Sequence, residues 1–96
     1  MGRRAEKVFT EAQQIERIEQ LVAELPSQAR VRVTMCNGDV VSGTVTERPA
    51  VQLYEDASGA AGVNAELRLD DPAAPAWSLY VWLGDIARVE QLTRQN

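Results

Sequence analysis

The feature that most constrains the fold is an alternation of apolar and polar residues that begins near Ala29 and returns along the rest of the chain. Val31, Val33 and Met35 are separated by polar side chains, and Asn37-Gly38 follows. A period of two places successive side chains on opposite faces of a strand, and Asn-Gly is a strong hairpin signal because both turn positions favour positive φ. The sequence therefore predicts a domain built mainly from short antiparallel strands.

The segment before these strands has a helical period instead. Its large aliphatic residues form one stripe, which consists of Ile15, Ile18, Val22 and Leu25. Thr10 is a predicted N-cap with Gln13 three residues later, and Pro26 cannot continue a helix. We therefore predict a flexible N-terminal tail over 1–9 and a helix over 10–25 that packs on a sheet.

Turn-forming residues divide the remainder into strands of unequal length. The predicted strands cover about 29–36, 39–56, 63–70, 76–83 and 85–91. Gly43 and Pro49 lie within the second strand and predict bends in it. Residues 10–92 are then a single domain, mainly β with one N-terminal helix. A strongly bent five-stranded antiparallel sheet, or small open barrel, with the helix covering one end is the expected architecture.

Composition argues against several classes of function. The chain of 96 residues has no histidine, one cysteine (Cys36) and one lysine (Lys7), and its net charge is −4. The commonest general base and the commonest zinc ligand are therefore missing, and no intramolecular disulfide can form. No apolar run approaches the roughly 20 residues of a membrane span. We expect no enzymatic activity, cofactor, metal site or membrane association, and the single cysteine without a secretion signal favours the cytoplasm.

The order of elements and several motifs resemble the Sm-like (LSm) family, which has an N-terminal helix followed by a bent five-stranded barrel. The match to the first Sm motif lies in Val31, Val33, Met35, Asn37-Gly38, Val41, Gly43 and Val45. The segment from Val81 to Ile86 approaches the second motif, in which an arginine precedes a glycine. The resemblance covers nearly the whole chain and implies the Sm-like fold.

The resemblance also implies a site for single-stranded RNA and a mode of assembly. The RNA-binding residues it points to are Asp56, Asn64, Trp82 and Gly84. Two departures weaken this implication: Leu83 or Trp82 stands where the motif has arginine, and the turn from Asp56 to Asn64 is longer than in the family. Sm-like rings form when the fourth strand of one copy pairs with the fifth strand of its neighbour.

The predicted fourth strand is apolar on both faces, because Tyr80 and Trp82 alternate with Leu79, Val81 and Leu83. Such a strand is usually covered on both sides. Either the helix stripe or another chain covers the two aromatic residues, and a base stacked on Trp82 is a third possibility. The predicted interface residues are Tyr80, Trp82, Ile86 and Val89. We expect a non-catalytic interaction module that self-associates as a homo-oligomer or docks a protein partner, with RNA binding as the alternative.

Overall fold

The computed structural model describes residues 3–71 and 73–92, without the side chain of Pro75. These residues form one α-helix, a short 3₁₀ turn and a series of strands. In chain order the elements are β1 (Arg3–Arg4), α1 (Ala12–Ala23), β2 (Arg30–Met35), β3 (Val40–Val45), β4 (Gln52–Glu55), β5 (Ala61–Asn64), β6 (Glu66–Asp71), β7 (Ala74–Trp82), the 3₁₀ turn (Leu83–Asp85) and β8 (Ile86–Gln91).

The strands form two sheets. The chain passes from the main sheet to the second sheet between β3 and β4, and returns between β5 and β6. The main sheet has five strands in the order β7-β6-β3-β2-β8, and all neighbours are antiparallel. The second sheet has the order β1-β4-β5. The main sheet and α1 enclose the core, which contains Ile18, Leu21, Leu25, Ala29, Val31, Val33, Val45, Ala65, Leu67, Leu69, Leu83 and Ile86.

Two of the predicted strands, 39–56 and 63–70, are each divided where the chain passes from one sheet to the other. The segment that links β3 to β4, residues 46–51, lies opposite the shorter segment 65–68. The longer segment therefore bulges outward. Pro49 lies in this bulge and has no N–H for a ladder. Gly43 forms no bulge, because it stays in register opposite Val31.

Helix α1 is shorter at both ends than the predicted 10–25. Glu11, not Thr10, is the N-cap residue, and it makes no side-chain capping hydrogen bond. The helix ends at Ala23 because the backbone N–H of Glu24 turns to Leu21 O, in a 3₁₀-type bond, ahead of Pro26. None of the helices in the described ranges is both long and apolar enough to cross a membrane.

Residues 3–9, which we call the N-terminal strap, are placed along the second sheet rather than free as predicted. β1 runs parallel to β4, and the Ala5 N–H donates to Glu55 O. The strap then crosses to the other side of the hairpin, where Phe9 and Val63 exchange two backbone hydrogen bonds of 2.9 and 2.8 Å. The strap therefore wraps the β4–β5 hairpin; residues 1–2 of the predicted tail lie outside the described residues.

The first hairpin has a longer loop than its Asn-Gly pair predicts. Met35 N–H donates to Asp39 O at 2.7 Å, so the loop is Cys36–Gly38. Gly38 has a φ of 96°, whereas Asn37 does not take positive φ. This pattern is typical of a three-residue hairpin loop, in which only the last residue is left-handed.

Candidate functional site

Asn64 is a buried polar residue at the point where three segments meet. Its side chain is 1% exposed, and its Nδ2 donates to the Lys7 carbonyl oxygen of the strap at 3.0 Å. Its Oδ1 accepts hydrogen bonds from the backbone N–H groups of Ala65, at 2.8 Å, and Gly84, at 3.1 Å. Both lone pairs of the amide oxygen are thus used inside the protein. Asn64 joins the strap, the β5–β6 junction and the 3₁₀ turn.

The aromatic ring of Phe9 lies directly against the backbone of Gly84. A Cβ atom at position 84 would overlap two carbon atoms of this ring, so only glycine allows the approach. The structure therefore brings together Asn64 and Gly84, two of the residues predicted to bind RNA. The space beside them is occupied by the strap, through the Phe9 ring and the Lys7 carbonyl.

Asp56 does not join these residues, contrary to the convergence that the resemblance implies. It lies at the far end of the β4–β5 hairpin, beyond the Glu55–Ala61 pair, whereas Asn64 pairs with Gln52. Its Oδ1 accepts hydrogen bonds from the Ser58 hydroxyl at 2.7 Å and from two backbone N–H groups. The Ser58 hydroxyl, followed by the Ala60 N–H, holds the pKa of Asp56 below its ordinary value. Asp56 is a turn-capping residue.

Trp82 is covered by the second sheet rather than by α1. Its ring meets the ring of Tyr54 edge to face, with centroids 5.2 Å apart. Tyr54 is 5% exposed, and burial, followed by the charge of Glu66, raises its pKa, whereas the charge and hydrogen bond of Arg3 oppose the rise. Trp82 is half-buried, so Tyr54 accounts for part of its cover.

Tyr80 remains open to solvent on the outer face of the main sheet. It is 55% exposed, and the Arg68 guanidinium lies 5.9 Å from its ring centroid, within the range of a cation–π contact. Arg68 also pairs with Asp70, at 3.2 Å between Nε and Oδ1. These residues hold Tyr80 beside a fixed cation. Trp77, on the same strand, is another exposed large apolar residue.

The opposite face of β7 is apolar too. Leu79 and Val81 line a groove of about 470 Å³ together with Met35 and Val41. Both side chains are half-buried, so β7 presents apolar side chains on both of its faces along the edge of the main sheet.

The other two predicted interface residues lie on β8 and are less accessible. Ile86 is 4% exposed and belongs to the core, so its prediction as a surface contact is wrong. Val89 is half-buried and packs against the same core. Only Tyr80 of the predicted interface residues is largely exposed.

A polar cleft of about 230 Å³ separates the two sheets, and no motif pointed to it. Three arginines line it: Arg3, Arg48 and Arg68. Tyr54 and Glu66 lie in the same cleft. We call this feature the arginine cleft. Among residues 3–71 and 73–92, no group of three or more histidine, cysteine, aspartate or glutamate side chains is placed to bind a metal ion.

The sequence did not identify Phe9, whose ring lies against Gly84, or Arg3, which lines the arginine cleft. Phe9 is the one phenylalanine of the chain and stands in a polar segment. A lone large aromatic residue in a supposed tail was a signal that the segment packs on the domain.

Comparison with known proteins agrees with this architecture. The solved structure of XC5848 from Xanthomonas campestris, described as a novel variant of the Sm-like motif, is similar with a TM-score of 0.89 and 34% identity, covering 97% of this chain and 100% of that one. No curated protein matches the chain. The family model described as "Domain of unknown function (DUF3247)" matches residues 2–92. The chain therefore has an Sm-like fold and belongs to the DUF3247 family.

Proposed function

We propose that this protein is a non-catalytic interaction module that works by adding a strand to the edge of its main sheet, with a second copy or another protein supplying that strand. The observation that carries the proposal is the edge strand β7, which has Tyr80 exposed on one face and, under the other, a groove where Leu79 and Val81 lie beside polar and charged residues. Binding by strand addition combines backbone hydrogen bonds with alternate side chains in pockets. β7 offers both components.

Two residues of the predicted RNA site are used for structure. Asp56 caps a turn, and the amide of Asn64 bonds three backbone groups. The chain has no histidine, so the commonest general base is missing. This composition supports the non-catalytic part of the proposal. A cytoplasmic location is part of it as well, on the ground of the single cysteine.

The molar mass in solution tests self-association. Light scattering on the eluting protein across a wide concentration range is expected to give more than the mass of one chain. Tyr80→Lys places a charge on the β7 edge and is expected to reduce the mass. Leu53→Lys is the matched control, since Leu53 is 68% exposed on β4, away from that edge, and its substitution is expected to leave the mass unchanged. A wild-type mass of one chain at every concentration contradicts self-association.

Single-stranded RNA binding is the second candidate, and the arginine cleft is the observation that favours it. Arg3, Arg48 and Arg68 outnumber the two glutamates of the cleft, Glu47 and Glu66, and a positively charged groove that follows the backbone is one component of single-strand sites. A fluorescent oligouridylate is the probe, titrated at about 50 mM salt and at higher salt. Binding that weakens with salt and with Arg48→Ala would support this candidate. Absence of binding at low salt rules it out.

A further inference from the structure

Most edges of the two sheets are protected against pairing with another chain. A free strand edge is a template for association, and proteins blunt it with charge, bulges or a covering segment. On the second sheet, β1 covers the outer edge of β4 with Arg3 and Arg4, and Phe9 covers the edge of β5 at Val63. The strap therefore closes this sheet on both sides.

The β8 edge of the main sheet is protected by several devices at once. Thr34 pairs with Arg88 but Met35 pairs with Ile86, so Ala87 forms a bulge. Arg17 of α1 donates a hydrogen bond to the Ala87 carbonyl oxygen. Beyond the bulge, Gln91 Nε2 donates to the Glu24 carbonyl oxygen at the end of α1. The strand also carries two charged residues, Arg88 and Glu90. A neighbouring strand would have to displace these contacts.

From Ser78 to Trp82 the β7 edge has none of these devices, since Pro75 and the irregular pairing with β6 both lie before Ser78. Its sequence from Ala74 to Trp82 contains no charged residue. Its pairing with β6 is regular from Ser78 to Trp82, and the one register shift lies before Ser78. The Leu83 N–H donates to Ala65 O, so the N–H of Leu83 points toward the β6 side. Along an antiparallel strand, the backbone groups of successive residues point alternately toward and away from the neighbouring strand. The N–H and C=O groups of Ser78, Tyr80 and Trp82 therefore point away from β6, and no described segment lies hydrogen-bonded along that side.

We infer that β7 of one chain pairs antiparallel with β7 of a second copy, about a two-fold axis at Tyr80. This inference rests on the proposed function and names the partner and the geometry. A head-to-tail ring needs two open edges on each chain, one from β7 and one from β8. A two-fold dimer needs only one, because the same surface serves both copies. The protected β8 edge and the open β7 edge favour the dimer.

The side chains of β7 fit this two-fold arrangement. With Tyr80 opposite its own copy, Ser78 faces Trp82 of the second copy, so a small side chain lies opposite a large one. The two Tyr80 rings form an aromatic cross-strand pair, which stabilises antiparallel strands. Because β7 itself has no charged residue, no like charges stand opposite each other within the two paired strands.

Proline substitutions at the two edges test the inference. Tyr80 and Val89 both direct their backbone N–H away from the neighbouring strand, so proline removes one outward donor at either position. We expect the wild type to have the mass of two chains, Tyr80→Pro the mass of one, and Val89→Pro the mass of two. A larger wild-type assembly that both substitutions dissociate would overturn the two-fold geometry but leave the proposed function standing. A monomeric wild type overturns the dimer and self-association together.

A cross-linking experiment avoids the risk that proline prevents folding. In the Cys36→Ser background, Tyr80→Cys places two cysteines across the axis with Cα atoms about 5.5 Å apart, which is within disulfide reach. Mild oxidation is expected to give a disulfide-linked dimer much faster than in the wild type, whose exposed Cys36 reports random collisions. Equal rates for the two proteins would refute the pairing of β7 with itself.

Discussion

Replacement of Asn64 by alanine is expected to loosen the strap, the β5–β6 junction and the 3₁₀ turn together. The substitution removes three hydrogen bonds and leaves the Lys7 carbonyl and the Ala65 and Gly84 N–H groups without this partner. Each such bond contributes about 0.5–1.5 kcal/mol net. Because the site is 1% exposed, water compensates poorly. The expected loss in free energy of unfolding is about 2–4 kcal/mol, a large share of the total for a domain of this size.

Urea denaturation followed by tryptophan fluorescence measures this loss, with Trp77 and Trp82 as probes. Gln20→Ala is the control, because Gln20 is an exposed polar residue on α1, and its substitution is expected to change stability by less than about 0.5 kcal/mol. A loss below about 1 kcal/mol for Asn64→Ala, within the range of one ordinary hydrogen bond, would refute the structural role assigned to this amide.

Two further predictions concern the strap and Tyr54. Gly84→Ala is expected to destabilise the fold by about 1–3 kcal/mol, because the added methyl group meets the Phe9 ring. In the Phe9→Ala background the same substitution is expected to cost much less, and a double-mutant cycle on unfolding free energies measures the difference; additive effects would contradict the contact. Burial raises the pKa of Tyr54 above 10.0, so its contribution to stability is complete below pH 10 and is lost as the pH rises through the raised value. Unfolding measured above pH 10 is expected to show a smaller fall in stability for Tyr54→Phe than for the wild type, and an equal fall would contradict this assignment.

The fold was largely predictable because the core positions follow simple periods. Val31 and Val33 on β2, and Leu67 and Leu69 on β6, alternate with polar residues and are fully buried. Alternation identifies which face of a strand is buried, and short turns identify neighbours. The Sm-like motifs extended this reasoning to the topology of the main sheet.

The division of the long strands was not predictable from alternation alone. The predicted strands run through residues 52–55 and 63–64 although β4 and β5 belong to the second sheet. Periodicity reports the spacing of side chains within a strand but not the strand with which it pairs. Pro49 marked the position of the break without indicating that the hairpin would leave the main sheet.

The candidate site was predicted in part, and its errors have a common cause. Asn64 and Gly84 do lie together, but the strap fills the space beside them. Asp56 matched a motif position, yet the length of the hairpin separates it from Asn64. Contacts between residues far apart in sequence, such as Phe9 with Gly84 or Arg3 with Tyr54, leave no local pattern.

The wrapping of the strap has a consequence for the order of folding. Residues 3–9 are synthesised before their partners on the hairpin and at Gly84, which follow dozens of positions later. Contacts with so large a sequence separation form slowly, because the intervening chain has to be closed into a loop first. On the ribosome, the beginning of the chain therefore waits unpaired until almost the whole domain has emerged, and docking of the strap is expected to be a late event.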